Sequence, residues 1–291
     1  MMPLSPAAAA LRARMDVTRP ALAMAAHNPL AAKLATEAGF DAIWGSGFEL
    51  SASYAVPDAS ILPMGTHLEM MRSIGEAQAA PVIADLDTGF GNAVNVAYAV
   101  PRYAAAGIAA VVIEDKTFPK DSSLRPGGRQ ELVPAGEFQG KVEAARNAAG
   151  VLVIARTEAL IAGLGVAEAL SRAAAYAEAG AHAVLVHSKR KTPEEVLEFC
   201  RAWDGRVPLV LVPTSYPQLS FADVAALNKV GLVICGNHAI RAAVGAMRAT
   251  FARILAEGGI AGVEAEIASV ADVFALQGDA RLRKIEAAYL R

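Results

Sequence analysis

Short apolar runs alternate with longer, alanine-rich stretches along the whole chain. Eight of the runs are almost continuously apolar, which is typical of parallel strands that are covered on both faces. These predicted strands are Ala21–Ala25, Ala42–Gly45, Val82–Asp85, Ala110–Glu114, Leu152–Arg156, Ala183–His187, Leu209–Pro213 and Leu232–Gly236. Helical patterns lie between them, at Pro29–Ala38, Val94–Ala106, Pro134–Ala148, Val166–Ala179, Pro193–Trp203 and Ser220–Lys229.

Glycine recurs where a predicted helix passes into the next strand. A helix ends readily at glycine, which adopts the left-handed conformation without a steric penalty. The four junction glycines are Gly39, Gly107, Gly180 and Gly231. An Ala-Gly-x-x-Ala unit begins at Ala38, Ala106 and Ala179, and so marks successive strand–helix repeats. Eight such repeats predict a (β/α)8 barrel, with a doubly wound open sheet as the alternative.

Both ends of the chain extend beyond the eight repeats. The alanine-rich start predicts a leading helix, with Ser5 as its cap and Pro6 in its first turn. After the last strand come a helix over Ile240–Glu257, a glycine break and a helical stretch near Val270–Leu276. No linker divides the chain, so residues 1–291 are predicted to form one domain. The tail either packs on a neighbouring subunit or caps its own barrel.

Composition and net charge exclude some classes of function. The 291 residues are 54% hydrophobic and carry a net charge of −2, which argues against binding to nucleic acid or an anionic membrane. The apolar runs are far shorter than the roughly 20 residues of a membrane-spanning helix. Only two cysteines, Cys200 and Cys235, are present, so a reducing compartment fits, and a cytoplasmic location is expected.

Polar and charged residues concentrate at the carboxyl ends of the predicted strands. In a barrel these ends meet at one mouth, where active sites are built. This bias predicts an enzyme independently of any family. The terminal segments are Trp44-Gly45-Ser46-Gly47, Asp85-Leu86-Asp87, Glu114-Asp115-Lys116, Arg156-Thr157-Glu158, His187-Ser188-Lys189, Pro213-Thr214 and Gly236-Asn237-His238.

Three acids in this set predict a metal site. Asp85 and Asp87 are two residues apart, so on an ideal strand they point the same way, and Glu114 ends the next strand. Crowded carboxylates repel one another unless a cation neutralises them. Oxygen ligands alone favour Mg²⁺ or Mn²⁺ over zinc. The alternative is an ordinary pair of surface acids.

Two basic side chains at strand ends predict an anion site. Arg156 offers a two-pronged guanidinium for a carboxylate or phosphonate, and the alternative is an ion pair with Glu158 or with an acid of the metal site. His187 could bind an anion or move a proton, although buried histidines are often purely structural. The polar segment Lys116–Gly128 is long and rich in glycine, which predicts a lid or, alternatively, a solvated insertion.

These residues resemble the phosphoenolpyruvate mutase/isocitrate lyase superfamily. The matching stretches are WGSGFELSASYAVPD, DLDTGFGN, EDKTFPKDSS, ARTEALIAGLG and VHSK, and the likeness runs roughly from Asp41 to the C-terminus. The resemblance implies a (β/α)8 barrel whose last helix is exchanged between paired subunits. It also implies a homotetramer built as a dimer of these dimers.

The resemblance also implies roles for individual residues. Asp85 matches the direct Mg²⁺ ligand, and Mn²⁺ or Co²⁺ are expected to substitute for Mg²⁺. Lys120 matches the lysine of the gating loop. Acids that hold the metal's waters match Asp58, Asp87 and Glu114; the substrate cradle matches Trp44, Ser46 and Gly47; the groups that hold the substrate's anionic ends match Arg156 and His187.

The gating loop separates the branches of the family. The carbon–carbon lyases carry a catalytic cysteine there, whereas this chain reads Lys120-Asp121-Ser122-Ser123. The mutases carry asparagine at the position of Ser122 and an apolar residue at that of Thr117. The resemblance therefore implies the hydrolytic branch, which cleaves the carbon–phosphorus bond of 3-phosphonopyruvate to pyruvate and phosphate. In it Thr117 would orient water or accept the phosphoryl group. A phosphomutase, or a decarboxylase or lyase of a 2-oxo acid such as oxaloacetate, is the alternative.

Overall fold

The computed structural model describes residues 2–291, and within it eight parallel strands close into a barrel in chain order. Each strand pairs with its sequence neighbours, and β1 pairs with β8. The predicted barrel is confirmed, and the open sheet is wrong. The strands are β1 Ala21–Ala26, β2 Ala42–Gly45, β3 Val82–Asp85, β4 Ala110–Glu114, β5 Leu152–Thr157, β6 Ala183–Val186, β7 Leu209–Leu211 and β8 Val230–Cys235.

Helices follow the strands and surround the barrel. All predicted helices are present, but three further helices were not predicted: Gly47–Ser53 and Met64–Ala77, which follow β2, and Asp279–Tyr289 at the end of the chain. The helices are α1 Pro6–Arg14, α2 Pro29–Glu37, α3 Gly47–Ser53, α4 Met64–Ala77, α5 Ala93–Ala105, α6 Ala135–Ala148, α7 Gly165–Glu178, α8 Glu194–Ala202, α9 Phe221–Ala226, α10 His238–Glu257, α11 Val270–Gln277 and α12 Asp279–Tyr289.

Several predicted boundaries are wrong. Strand β7 ends at Leu211, and Pro213 begins a 3₁₀ turn, Pro213–Ser215. His187 and Gly236 lie just beyond their strands. Gly231 does not precede β8 but lies inside it, where an added Cβ would be 3.0 Å from the Met15 carbonyl oxygen. It serves a close approach of two backbones rather than a helix end.

Strand residues alternate between the inside and the outside of the barrel, as the two-residue period of a strand requires. One buried cluster fills the interior and includes Ala23, Trp44, Ile83 and Val112. Ala8 and Leu11 of α1 belong to the same cluster, so the leading helix covers the amino-terminal end of the barrel. The Ser5 hydroxyl accepts a hydrogen bond from the Ala8 amide at 3.2 Å, which confirms the predicted cap.

The chain divides into two compact units, one up to Ile240 and one over Arg241–Arg291. The second unit contains α11 and α12, which meet at Gly278 in the left-handed conformation with φ at 83°. The Ser269 side chain and Asp272 form a capping box at the start of α11. Across residues 2–291, no helix is long and apolar enough to cross a membrane.

Candidate active site

The barrel mouth collects the side chains that point inward at the carboxyl ends of the strands. Asp85, Glu114 and Arg156 share the inward alternation of Ile83, Val112 and Ile154. A cavity of about 70 Å³ lies there, which is room for a few water molecules. It is lined by Trp44, Ser46, Phe48, Asp58, Asp85, Lys120, Ser122, Ser123, Leu124, Arg156, His187, Val212, Thr214, Gly236 and Asn237.

The segment Lys116–Gly128, called the flap below, lies over this cavity. Four of its residues line the cavity, from Lys120 to Leu124. The flap backbone is held near its start, because the Thr117 amide donates to the Glu131 carbonyl oxygen at 3.0 Å and the Lys120 amide donates to the Ser60 hydroxyl at 3.2 Å. This placement supports the lid interpretation over a solvated insertion.

Lys120 joins the flap to two acids of the predicted metal site. Its Nζ lies 2.8 Å from Asp58 Oδ1 and 2.6 Å from Asp87 Oδ1. Burial alone would lower the pKa of Lys120, but the surrounding carboxylates outweigh it and hold that pKa well above its usual value. Burial raises the pKa of Asp87 to about 6, and the nearby charges of Asp85 and Asp58 add to the rise.

Asp85 and Asp87 come together by a turn and not by strand alternation. Strand β3 ends at Asp85, and Asp87 has a positive φ of 52°. The Asp87 amide donates to Asp85 Oδ1 at 3.2 Å, which fixes this turn. A Cβ on Gly47 would lie 2.9 Å from Asp87 Oδ1 and 3.7 Å from Asp85 Oδ2. Both carboxylates therefore reach the same small volume beside the Gly47 backbone.

Arg156 is held in the mouth by acids of its own barrel. Its Nε lies 2.6 Å from Glu158 Oε1 and 3.3 Å from Glu114 Oε2. These contacts outweigh the effect of burial and raise the pKa of the guanidinium. The ion pair with Glu158 that sequence reasoning gave as an alternative is thus present, and it positions Arg156 toward the cavity that Arg156 also lines.

Ser123 and Lys116 complete this cluster, which no sequence pattern predicted. Lys116 Nζ donates to the Ser123 hydroxyl at 2.8 Å and to the Asp121 carbonyl oxygen at 2.7 Å. Arg156 also donates to the Ser123 hydroxyl, at 3.0 Å, and that hydroxyl donates to Glu158. The flap is therefore docked directly on the arginine of the predicted anion site.

His187 lies at the same mouth in a neutral form. Burial is the main cause that lowers its pKa to about 4, and Arg156 and Lys116 act in the same direction. Its Nδ1 is buried without a hydrogen-bond partner among residues 2–291. A buried imidazole with one open nitrogen is suited to a hydrogen bond with a bound anion or to proton transfer.

The remaining predicted residues differ in their placement. Trp44 and Ser46 line the cavity, and the Ser46 hydroxyl caps α3 by accepting from the Glu49 amide at 3.2 Å. Thr117 is half-buried outside the lining residues, with its amide bonded to Glu131. Both carboxylate oxygens of Glu114 are buried without a hydrogen-bond partner, although they lie beside Arg156.

Asp115 forms a supporting network on the outer side of the barrel that the sequence analysis did not anticipate. Its carboxylate accepts from the Glu158 amide at 2.8 Å, the Tyr176 hydroxyl at 2.7 Å and Arg172 at 3.3 Å. Because Asp115 follows Glu114 along the chain, it has the opposite alternation and faces the helices. It fixes the end of β4 against the end of β5.

The mouth carries an excess of negative charge that suits a divalent cation. Five carboxylates face three basic side chains, which leaves two negative charges without compensation. The acids are Asp58, Asp85, Asp87, Glu114 and Glu158, and the bases are Lys116, Lys120 and Arg156. Burial raises the pKa of Asp85 and of Glu114, as expected for acids that lack a compensating cation.

The donor set fits a hydrated ion rather than a protein cage. In the part of the chain that the structure describes, no three His, Cys, Asp or Glu side chains stand close enough to bind one metal directly. Mg²⁺ commonly keeps several of its waters and takes one or two carboxylates from the protein. Asp85 as a direct ligand, with Asp58, Asp87 and Glu114 on the waters, is compatible with these positions.

A closed barrel with a carboxylate cluster, a fixed arginine and a docked flap at its mouth defines a barrel enzyme for small anionic substrates. The profile of the phosphoenolpyruvate phosphomutase family matches residues 11–255. The chain belongs to this family, within the phosphoenolpyruvate mutase/isocitrate lyase superfamily.

Relatives of known activity are similar along nearly the whole chain. The phosphonopyruvate hydrolase of Variovorax sp. (strain Pal2) is 65% identical over 97% of this chain and 98% of its own length. The phosphoenolpyruvate phosphomutase of Tetrahymena pyriformis is 42% identical over 92% of this chain and 90% of its own. A crystal structure of phosphonopyruvate hydrolase with oxalate and Mg²⁺ matches with a TM-score of 0.93 and 62% identity, covering 99% of this chain and 100% of that one.

Proposed function

We propose that the protein is a Mg²⁺-dependent phosphonopyruvate hydrolase, which cleaves 3-phosphonopyruvate to pyruvate and phosphate. The observation that carries this proposal is the 65% identity to such a hydrolase over 97% of the chain. The charges of the barrel mouth agree with it, since a fixed guanidinium and an acid cluster stand side by side in one cavity. The phosphomutase relatives share less of the sequence, at 48% identity or below.

The substrate would lie between the cradle and the basic residues. The Ser46 hydroxyl and the backbone at Gly47 would bind the 2-oxo acid end, and Trp44 would cover it. Arg156 and His187 would bind the phosphonate. Arg156 is already oriented by Glu158, so it loses little freedom when the anion arrives. Neutral His187 offers a hydrogen bond without a buried positive charge of its own.

The reaction balances with one water. The carbon–phosphorus bond breaks, its electron pair stays on the organic fragment as the enolate of pyruvate, and the phosphoryl group passes to water. The water proton returns to the methylene carbon, which gives pyruvate and phosphate. Arg156 would offset the charge of the phosphoryl group during transfer. Asp85 would hold Mg²⁺ directly, and Asp58, Asp87 and Glu114 would hold it through waters; the ion would supply positive charge to offset the negative charge of the organic fragment.

The flap would decide whether water reaches the phosphoryl group. Ser122 lines the cavity, and a hydroxyl can pair with a nearby water as donor or acceptor, whereas the Ser123 hydroxyl already bonds Lys116, Arg156 and Glu158. Thr117, proposed from the sequence to orient water or to accept the phosphoryl group, lies outside the cavity lining while the flap is docked. A role for Thr117 would therefore require a rearranged flap.

The test is to follow 3-phosphonopyruvate and Mg²⁺ by phosphorus NMR with the purified protein. Inorganic phosphate formed in step with pyruvate supports the proposal, and a chelator should abolish it while added Mg²⁺, Mn²⁺ or Co²⁺ restores it. Phosphoenolpyruvate as the product would show a phosphomutase instead. Turnover of oxaloacetate, without turnover of phosphonopyruvate, would show a 2-oxo acid decarboxylase or lyase. The matched control is Asp85→Asn, which should be inactive at every metal concentration.

We also propose that the tail mediates assembly into a homotetramer of helix-exchanged dimers, with residues 1–291 forming one barrel domain plus this tail. Helices α11 and α12 bury none of their residues within the chain. Large apolar side chains on them are exposed: Val270, Val273, Phe274, Leu282, Ile285 and Tyr289. Light scattering should give four times the 30.1 kDa mass. A Phe274→Asp/Ile285→Asp double variant should be smaller, while a tetrameric double variant would contradict the proposal.

A cytoplasmic location is proposed on the state of the cysteines. Both Cys200 and Cys235 are free thiols. Burial raises the pKa of Cys200 to about 12, so this thiol is inert. Neither residue requires an oxidising compartment, and cell fractionation with an antibody against the protein tests the location directly.

A further inference from the structure

A second cavity lies at the opposite end of the barrel from the active site. It measures about 400 Å³ and is called the basal cavity here. Helix α1 and the starts of β5 and β6 contribute to its lining. The lining residues are Arg12, Met15, Arg146, Leu152, Ile154, Gly180, Ala181, His182, Ala183, Arg206, Val207 and Pro208.

The ionisable side chains that line the basal cavity are all basic. Three arginines from three different segments line it, together with a histidine, and no carboxylate belongs to the lining. Arg206 is neutralised at the rim, because it contacts Asp204 at 2.6 Å and Glu178 at 2.9 Å. Arg12 forms no ion pair with any residue from 2 to 291. The guanidinium of Arg12 therefore offers a positive charge without a matching acid, which is what an oxyanion site requires.

The pKa of His182 is affected by the positive charges of this cavity. Its Nδ1 accepts a hydrogen bond from the Val153 amide at 2.9 Å, so a neutral ring carries its proton on Nε2. Nε2 is buried and has no hydrogen-bond partner among the described residues. Burial lowers the pKa of His182 to about 4, and Arg146 and Arg12 lower it further. Both guanidiniums are therefore close enough to act on the ring.

We propose that the basal cavity is a binding site for a small dianionic oxyanion, of which inorganic phosphate is the simplest member. Arg12 and Arg146 would bind the anion, with Arg206 at the rim and His182 beside it. A volume of about 400 Å³ exceeds that of phosphate, so a phosphate group carried on a small organic molecule also fits.

The position of the site connects it to the catalytic end. His182 comes directly before β6, and Val153 lies in β5. Strand β5 carries Arg156 next to its last residue, and His187 directly follows β6, so an anion at the base would contact the two strands that lead to the active-site anion ligands. This proposal does not depend on the reaction assigned to the mouth, because it rests on residues at the other end of the barrel.

The test is to titrate ¹⁵N-histidine-labelled protein with inorganic phosphate and to observe the His182 ring signals separately from those of His187. A saturable shift of His182, with a rise in its pKa because the anion offsets Arg12 and Arg146, supports the site. Succinate is titrated in parallel. A response to phosphate alone indicates a phosphate ligand, and a response to both indicates a general dianion site. No saturable response of His182 to either anion overturns the proposal.

Variants on one helix provide the matched control. Arg12→Gln should weaken the binding measured at His182 by about tenfold, the equivalent of one lost charge-assisted contact. Arg14→Gln removes the same charge from the same helix, but Arg14 donates to the Asp41 carbonyl oxygen away from the cavity, so its effect should stay within about twofold. Equal losses in both variants would show a non-specific charge effect and would overturn the site.

Discussion

The Nζ of Lys120 lies 2.6 Å from Asp87 Oδ1, which places the ammonium of a flap residue inside the carboxylate cluster of the barrel mouth. The same Nζ lies 2.8 Å from Asp58. Flap closure and charge compensation are therefore the same event, because the flap cannot leave without removing a positive charge from the acids.

Removing the charge of Lys120 should release the flap from the carboxylate cluster. We expect Lys120→Gln to lower kcat/KM by about 100-fold, since the flap loses its anchor and the positioned site loses a charge. Limited proteolysis between residues 116 and 128 should become faster. Arg125→Gln is the control, because Arg125 is an exposed flap residue whose ion pair is with Asp121. Steady-state kinetics of both variants measure kcat/KM, and an unchanged kcat/KM in Lys120→Gln would contradict the prediction.

A Cβ at Gly47 should disturb the acids directly. Gly47→Ala would place its methyl 2.9 Å from Asp87 Oδ1, too close without a shift of that carboxylate. We expect activity to fall by about tenfold or more with thermal stability nearly unchanged. Gly65→Ala is the matched control, because nothing lies within 4 Å of the added methyl. A loss of activity in both variants would show that the effect does not come from Asp87.

Glu158 should matter for both folding and catalysis. It contacts Arg156 at 2.6 Å and Lys116 at 3.3 Å, and all three side chains are largely buried. Glu158→Gln leaves two buried cations with weaker partners, so we expect a loss of about 3 kcal/mol in the free energy of unfolding and a large loss of activity. Urea denaturation measures the first quantity. The exposed Glu198→Gln variant should change neither.

The Asp115 network should contribute to stability more than to the reaction. Tyr176→Phe removes the 2.7 Å hydrogen bond to the buried Asp115 carboxylate. We expect the free energy of unfolding to fall by about 1–2 kcal/mol with kcat/KM within about threefold of the unmodified protein. Tyr98→Phe, on an exposed ring, should have no effect on stability. A kcat/KM loss much larger than threefold would instead place the network in the catalytic machinery.

Stability should fall in weak acid through buried histidines. Burial lowers the pKa of His67 to about 4, and its Nδ1 is hydrogen-bonded to the Tyr103 hydroxyl at 2.8 Å. The unfolded chain binds this proton near pH 6.5 and the folded chain only near pH 4. The contribution of the neutral ring is thus complete above pH 6.5 and is lost as the pH falls toward 4.

The measurement compares urea midpoints between pH 7 and pH 4.5 for the unmodified protein and His67→Gln. The variant should show a shallower fall, since it lacks one group that gains a proton on unfolding. His238→Gln, on an exposed side chain, should keep the original slope. Identical slopes in all three proteins would contradict the buried, neutral state of His67.

Much of the site follows from the sequence because a strand alternates with a period of two. Asp85, Glu114 and Arg156 end apolar runs on the inward positions, so their meeting at one mouth follows once the strands form a barrel. Asp87 also lies at this mouth, but strand alternation does not place it there. The chain turns after Asp85, and the positive φ of Asp87 depends on contacts that a strand pattern does not contain.

The helix Met64–Ala77 was missed, although His67, Met71 and Ile74 bury one of its faces. Its first turn has no side-chain cap, and its sequence follows a run rich in proline and serine, so the usual start signal is absent. Packing against the barrel, rather than the local helix propensity of its sequence, stabilises this helix. The same reason explains the misplaced ends of β7 and β8, whose limits depend on pairing with neighbouring strands.

The sequence alone determined the eight apolar strands and the residue types at their carboxyl ends, because these depend on local periodicity. Closure into a barrel rather than an open sheet was decided by the tertiary structure. Only the tertiary structure decided which groups touch. Lys120 reaches Asp58 and Asp87, Ser123 docks on Arg156, and three arginines converge on the basal cavity. These contacts join residues far apart in the chain, so they depend on barrel closure and flap docking, which no local pattern encodes.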